Sequence, residues 1–153
     1  MNPSKMTHPT VDSVSKQATQ VAARVEAFVR ERIAPFERDS RCGPHGPSEE
    51  LIAELRDLAR AEGLLTPHIL SDGSHLTHRE TARVLRAAGL SPLGPVALNV
   101  AAPDEGNMFL LGRVLPEQKE RFLKPLIEGS TRSASFMTEP AEDGGAGLGA
   151  VAK

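Results

Sequence analysis

The sequence contains very few aromatic residues: there are five Phe and neither Trp nor Tyr, so aromatic residues make up 3% of its 153 positions. Any core must therefore be built mainly from Leu, Val, Ile and Ala. This composition favours helices that pack through aliphatic side chains over a β-sandwich, which usually contains more aromatic and β-branched residues. Because a chain of this length can bury one sizeable core, we predict a single all-α domain.

Cysteine pairs, long apolar runs and an excess of positive charge are also missing. The one cysteine, Cys42, excludes an internal disulfide and lies in a polar stretch, where a free thiol implies a reducing compartment. No apolar run approaches the ~20 residues of a membrane span, and the first ten residues lack the apolar centre of a signal peptide. The formal net charge is −2, which argues against nucleic-acid binding. The cytoplasm is the expected location.

The first helix is predicted over residues 12–37. Asp12 or Ser13 can cap its start, because either side-chain oxygen can accept a hydrogen bond from an orphan backbone N–H. Pro35 is expected to end or kink the helix, and residues 38–47, which contain two Gly and two Pro, are predicted to form a loop. One apolar face follows helical spacing and consists of Val14, Ala18, Val21, Val25 and Phe28.

Two further helices carry clear start signals. Ser48 can cap the second helix, and Gly63 supplies a left-handed residue at its end. A loop is predicted over 66–74, and the third helix then begins with a capping box, in which Thr77 accepts from the backbone of Glu80 and the Glu80 carboxylate reaches back. The buried side of the second helix is predicted to consist of Leu51, Ile52, Leu55, Leu58, Ala59 and Ala61.

The pattern is less regular in the second half of the chain. Residues 96–101 have helical spacing, a new helix can start at Asp104, and Pro116 suits the first position of a last helix that Pro125 shortens or kinks. Residues 133–138 then resemble a short strand, although a strand without a partner is not stable.

These patterns divide the chain into three parts. We predict a flexible tail over 1–11, a helical domain over 12–130 and, over 131–153, the truncated start of a β-domain, because no second strand follows the first one.

Several segments resemble the acyl-CoA dehydrogenase family. Residues 116–129 are similar to the last helix of its amino-terminal domain, and residues 136–140, F-M-T-E-P, are similar to the flavin-contacting M-T-E-P strand that follows. Residues 102–108, A-P-D-E-G-N-M, resemble the subgroup related to the long, multidomain enzymes of animals and their bacterial relatives. The segments 55–65 and 76–80 also fit. The resemblance covers nearly everything from residue 14 to residue 147.

The resemblance implies a helical domain, a middle β-domain and a second helical bundle, with FAD bound between them. It implies that acyl-CoA loses an α-proton and passes its β-hydrogen to the flavin as a hydride, giving a trans-2-enoyl-CoA, and that an electron-transfer flavoprotein takes up the electrons. Phe136, Met137 and Thr138 are then the expected FAD contacts, with Thr138 donating to the pyrimidine side, where fixed donors stabilise the reduced flavin. A homo-oligomer is also expected.

Two departures from the family pattern limit this expectation. Gly147, Leu148 and Gly149 stand where relatives have a G-S-D triplet, so a hydroxyl and a carboxylate are missing. The catalytic base of the family is a glutamate of the carboxy-terminal bundle, and no residue of this chain takes that role. We therefore name no catalytic residue and expect the chain alone to be inactive. The alternative is a non-catalytic helical interaction module, or a gene remnant, that associates with a full-length relative.

Other candidate sites receive simpler interpretations. Glu139 is expected to belong to a turn with Pro140 and not to act as a general base, and the glycines of 144–147 are expected to form a flexible end, since no helix start follows them as a phosphate loop requires. Asp104, Glu105 and Asn107 line the acyl channel by resemblance, or else form a helix start.

The sequence also has histidines close together at positions 68, 75 and 78. A metal site needs a third and a fourth ligand. Because neither is evident in the sequence, we predict no metal site.

Overall fold

The computed structural model describes residues 14–134, and the mostly helical fold is confirmed. Along these residues, no helix is both long and apolar enough to cross a membrane. The elements in chain order are α1 (Lys16–Phe28), β1 (Cys42–Gly43), β2 (Gly46–Pro47), α2 (Glu49–Ala61), α3 (His78–Ala88), α4 (Gly94–Ala97), α5 (Asp104–Leu111), α6 (Pro116–Gln118) and α7 (Lys124–Ile127).

The start of α1 differs from the sequence-based prediction. Ser15 caps the helix by accepting a hydrogen bond from the backbone N–H of Ala18 at 3.1 Å, whereas Asp12 and Ser13 lie outside the described residues. The backbone N–H of Ser15 donates in turn to Oε1 of Glu80 at 3.0 Å. The cap therefore ties α1 to α3, and a rule based on local sequence cannot detect such a contact.

Pro35 and Pro125 change the helix geometry, as the sequence predicts, but they do so through wide turns that precede them. A π-helical segment, Val29–Ile33, leads into the 3-10 segment Ala34–Arg38, and a second π-helical segment, Lys119–Leu123, joins α6 to α7. In both places the residue before the proline donates its N–H to the carbonyl five residues earlier. Because proline has no N–H to donate, the wider turn lets the chain continue as a helix.

The core lies between the helices, where α1 packs on α3 and α2 packs on α4. The predicted apolar face of α1 is confirmed, with Ala18, Val25 and Phe28 buried. On α2 the prediction is wrong for Ala61, which is exposed, because two residues after the buried Ala59 the helix has turned to its opposite side. The largest fully buried apolar side chains are Ile33, Leu51, Leu55, Leu98, Met108, Val25, Val29 and Val84.

The loop predicted over 38–47 contains a very small hairpin. Strand β1 pairs antiparallel with β2, so that Cys42 faces Pro47, and Gly46 has a φ of 109° that a residue with a Cβ rarely adopts. The half-buried Cys42 is a free thiol. The hairpin is too short to form a layer, so it acts as a tight turn that brings the chain from α1 to α2.

Candidate functional site

The end of α7 is held by side chains from three other parts of the chain. We call residues 126–133 the junction, because they lead from α7 to the segment that resembles the flavin-contacting strand. The last carbonyls of a helix have no intrahelical partner, and here they accept side-chain hydrogen bonds. The bonds run from Asn99 Nδ2 to Leu126 O (2.8 Å), from Thr66 Oγ1 to Ile127 O (2.8 Å) and from Arg56 Nη1 to Gly129 O (2.9 Å).

Two of these three donors have unusual backbone geometry. Thr66 has a φ of 50° and Asn99 a φ of 56°, and within 14–134 they are the non-glycine residues with positive φ. Both are buried. Such a conformation costs on the order of 1–3 kcal/mol and persists only where the surrounding structure enforces it, often at functional sites. The strain is thus concentrated at the residues that hold the junction.

The third donor, Arg56, is a buried cation with 8% of its surface exposed. Its Nε also donates to the carbonyl of Val96 at 3.2 Å, so one guanidinium links α2, α4 and the junction. Burial, with a further effect of the nearby charge of Arg132, lowers the pKa of Arg56. A sequence signal for this role exists, because Arg56 lies four residues after Ile52 and three before Ala59, both on the buried face of α2.

The first turn of α5 holds the far end of the junction. Oδ1 of Asp104 accepts from both the backbone N–H and the hydroxyl of Ser133, at 2.7 and 2.6 Å, and Nδ2 of Asn107 donates to the same hydroxyl at 2.8 Å. Asp104 is buried and is the first residue of α5, as the helix-start interpretation predicts. The segment 102–108 is therefore in direct contact with Ser133, three residues before the segment 136–140 begins.

An open, mostly apolar groove lies beside the junction, between α5 and the helical run from α6 to α7. Its volume is about 540 Å³. Leu110 and Phe122 on its walls are 60% and 46% exposed, which is unusual for side chains of this size. The residues around it include Asn107, Leu110, Leu111, Phe122, Leu126 and Ser133.

The predicted FAD contacts, Phe136, Met137 and Thr138, lie outside the described residues, as does Glu139. Their role stays a prediction. The structure instead describes the approach to them, since Ser133 is held three residues before Phe136.

The structure brings two of the three clustered histidines together. The rings of His68 and His75 lie 5.0 Å apart in an edge-to-face arrangement, whereas His78 is exposed and its ring lies 4.3 Å from that of Phe109. A third potential ligand, which is not evident in the sequence, lies near them. Glu105 comes from α5, and its carboxylate lies close to the buried His68 and the half-buried His75.

Comparison with known proteins gives a consistent result, although no protein-family model matches the chain. "Probable acyl-CoA dehydrogenase FadE2" of Mycobacterium tuberculosis is 36% identical over 137 residues, which cover 84% of this chain and 33% of that protein. "Acyl-CoA dehydrogenase family member 11" of Gallus gallus is 32% identical over 135 residues, 82% of this chain and 17% of that protein. A solved Mycobacterium abscessus structure, described as a candidate acyl-CoA dehydrogenase, matches with a TM-score of 0.64 and 34% identity over 84% of this chain and 35% of that one.

The helical fold and these matches together define the class of protein: the chain is related to the acyl-CoA dehydrogenases, a family of oxidoreductases. More particularly, it resembles one part of such enzymes, because it spans about a third of the length of the mycobacterial relatives and 17% of the chicken protein. The resemblance that the sequence motifs indicate is thereby confirmed at the level of the family.

Proposed function

We propose that this chain supplies the amino-terminal helical domain, over 12–130, of an acyl-CoA dehydrogenase-type flavoenzyme, and that 131–153 begins its β-domain. The observation that carries this proposal is the contact of Asp104 and Asn107 with Ser133. It joins the A-P-D-E-G-N-M segment to the chain that enters the M-T-E-P segment. In this proposal the enzyme converts an acyl-CoA to a trans-2-enoyl-CoA and passes its electrons to an electron-transfer flavoprotein.

The described residues fix the direction in which the chain leaves the helical domain. With the end of α7 held by Arg56, Thr66 and Asn99, and with Ser133 held by Asp104, the chain leaves the helical domain along one path. The FAD contacts proposed for Phe136, Met137 and Thr138 require such a path, because a displacement of about 1 Å can cost much of the activity of a site. FAD, when bound, supplies the acceptor for the hydride.

The groove supports a second element of the proposal, namely the face on which the β-domain packs. It lies next to Ser133, where the chain leaves the helical domain, and its exposed Leu110 and Phe122 form an apolar surface. Asn107 and Ser133 in its lining bond to each other, and Arg121 and Arg132 add two cations beside the apolar surface. The groove therefore fits a mainly apolar neighbour that also carries negative charge. We expect the polypeptide alone to associate through this face, which agrees with a homo-oligomer.

On its own the 153-residue polypeptide is expected to be inactive. The resemblance implies a glutamate base from a carboxy-terminal helical bundle, and the matched region covers only 33–35% of the mycobacterial relatives. The test is to mix the purified chain with FAD, remove the unbound flavin, and add a series of acyl-CoA thioesters and an electron-accepting dye. We expect neither bleaching of flavin nor dye reduction. Turnover by the chain alone would overturn the claim of inactivity.

The positive part of the proposal needs a complementation experiment. The chain is co-expressed with the part of the Mycobacterium tuberculosis relative that follows the matched region, and the flavin retained by the purified complex is measured. We expect FAD retention with the natural chain, a clear loss with Asp104→Ala, and no loss with Asp57→Ala, which removes an exposed carboxylate of α2. A stable complex whose flavin content does not respond to Asp104 would favour the non-catalytic interaction module instead.

A further inference from the structure

His68, His75 and Glu105 form a compact cluster of groups that can bind metal ions. One ligand atom from each residue lies within 4.8 Å of the other two. The two histidines come from one paired loop, in which Ile69 bridges His75 and the N–H of Leu76 donates to the carbonyl of His68 at 2.9 Å. The carboxylate comes from the first turn of α5. The cluster therefore joins two separate parts of the fold.

Three of the four ring nitrogen atoms of this cluster have no hydrogen-bond partner. His68 is completely buried, and both of its ring nitrogens lack a partner, as does the buried Nε2 of His75. Buried polar atoms are nearly always hydrogen-bonded, so each exception requires an explanation. Three such atoms in two adjacent rings indicate that a group is needed between them.

The tautomer of a neutral His75 ring follows from its one short contact. Its Nδ1 lies 2.6 Å from the carbonyl of Leu76, and because a carbonyl can only accept, Nδ1 carries the proton. In the neutral ring, Nε2 then has a free lone pair that faces Oε1 of Glu105 at 3.7 Å. Two electron-rich atoms face each other here, and a cation between them removes the repulsion. A histidine that donates through one nitrogen to a backbone carbonyl and binds metal through the other is a common arrangement.

We propose that His68, His75 and Glu105 bind one Zn²⁺ ion, with Nε2 of His75, a ring nitrogen of His68 and a carboxylate oxygen of Glu105 as ligands. Two histidines and one carboxylate are an established zinc ligand set, which leaves a fourth position for water. Ligand atoms on one tetrahedral zinc lie roughly 3.4 Å apart, as zinc–ligand bonds of about 2.0–2.2 Å require. Small side-chain rotations therefore close the site.

The position of the cluster suits a metal ion. An ion has a route to the site, because the side chains of His75 and Glu105 are 16% and 21% exposed. Bound zinc would pin the loop of His68 to α5, the helix that begins with Asp104.

The proposal is tested by titrating the chelator-treated full chain with Zn²⁺ alone in a calorimeter. We expect one ion per chain and a higher melting temperature with zinc, since binding to the folded state stabilises it. Co²⁺ in place of Zn²⁺ should give the intense visible absorption of a tetrahedral site. Neither result depends on flavin or on thioester turnover, so failure here and failure of the proposed function are distinguishable.

Variants decide which residues bind the ion. His75→Gln and Glu105→Gln are each expected to weaken zinc binding roughly tenfold or more, whereas His45→Gln, which changes an exposed histidine in the β1–β2 turn, leaves it unchanged. His68→Gln removes a fully buried group and can affect folding, so circular dichroism accompanies that variant and the other two carry the test. Absence of zinc binding by the natural chain at micromolar concentrations, or equal binding by all variants, would overturn the proposal.

Discussion

The aliphatic core between α1, α2, α3 and α4 and the junction at 126–133 are built in opposite ways. The core is a cluster of buried apolar side chains that touch each other without directional bonds. At the junction, the side chains that hold the backbone are a guanidinium, an amide, a hydroxyl and a carboxylate, all from buried residues.

This difference separates two tasks. Apolar burial is roughly proportional to area and has no preferred direction, so it drives folding but tolerates small shifts. Hydrogen bonds among buried groups are directional, and a missing partner is costly. The core therefore provides most of the stability, and the junction fixes where the chain goes next. Substitutions in the core and at the junction should therefore have effects that differ in size, and only those at the junction should change the path of the chain.

The largest effect is expected in the core. Leu55→Ala truncates a side chain with no exposed surface, and the lost burial together with the cavity should lower the free energy of unfolding by about 2–5 kcal/mol. Denaturant unfolding measures this value. The matched control is Leu115→Ala, because Leu115 is 63% exposed and its removal should change stability by less than about 0.5 kcal/mol. Equal effects of the two variants would contradict the assignment of the core.

A smaller but clear loss is expected at the junction. Arg56→Met keeps much of the side-chain volume but removes the side-chain donor to the carbonyls of Val96 and Gly129. We expect the free energy of unfolding to fall by about 1–3 kcal/mol. Arg30→Met is the comparison, since Arg30 is exposed and pairs with the exposed Glu26 away from the junction, and it should cost under about 1 kcal/mol. Equal stability of the two variants in denaturant unfolding would show that Arg56 has no special role.

The third prediction concerns the link between α1 and α3 and its dependence on pH. Hydrogen bonds from Ser15 first, and then from Thr77, hold the pKa of Glu80 at about 2, below its ordinary value of 4.5. The ionised carboxylate therefore stabilises the fold at pH values above its ordinary pKa, and this contribution disappears as the pH falls towards about 2.

Glu80→Gln tests this dependence. At neutral pH this variant's free energy of unfolding should be lower by on the order of 1 kcal/mol, the usual size of a helix-cap effect. Near pH 2 its free energy of unfolding should equal that of the natural chain. Unfolding curves across this pH range measure the difference. The exposed Glu37→Gln on the 3-10 segment is the control, and a parallel pH dependence in the Glu80 and Glu37 variants would contradict the prediction.

The sequence predicts helix starts and helix faces well, because these features depend on residues that are close together along the chain. The Ser48 cap, the Thr77–Glu80 capping box and the restart at Asp104 are local patterns, and the structure confirms all three. The apolar face of α1 follows from helical spacing alone. These elements account for most of the helical framework.

The junction could not be predicted in the same way, because its bonds join residues far apart in the sequence. Thr66 and Asn99 lie in irregular segments, and nothing local indicates that both take up a left-handed backbone to reach the end of α7. The cap of α1 was misplaced for a related reason, since Ser15 is fixed by Glu80. Arg56 is the exception, because its spacing already places it on the buried face of α2.

The most direct test of the account is amide hydrogen exchange at Ser133. In the natural chain its N–H should be protected, because it donates to the buried Asp104, and Asp104→Ala should speed its exchange on the order of tenfold while the amides of α2 and α3 keep their protection. Asp57→Ala should leave Ser133 unchanged. Rapid exchange of Ser133 in the natural chain, or an equal rate in the Asp104 variant, would contradict the claim that α5 fixes the path of the chain towards Phe136.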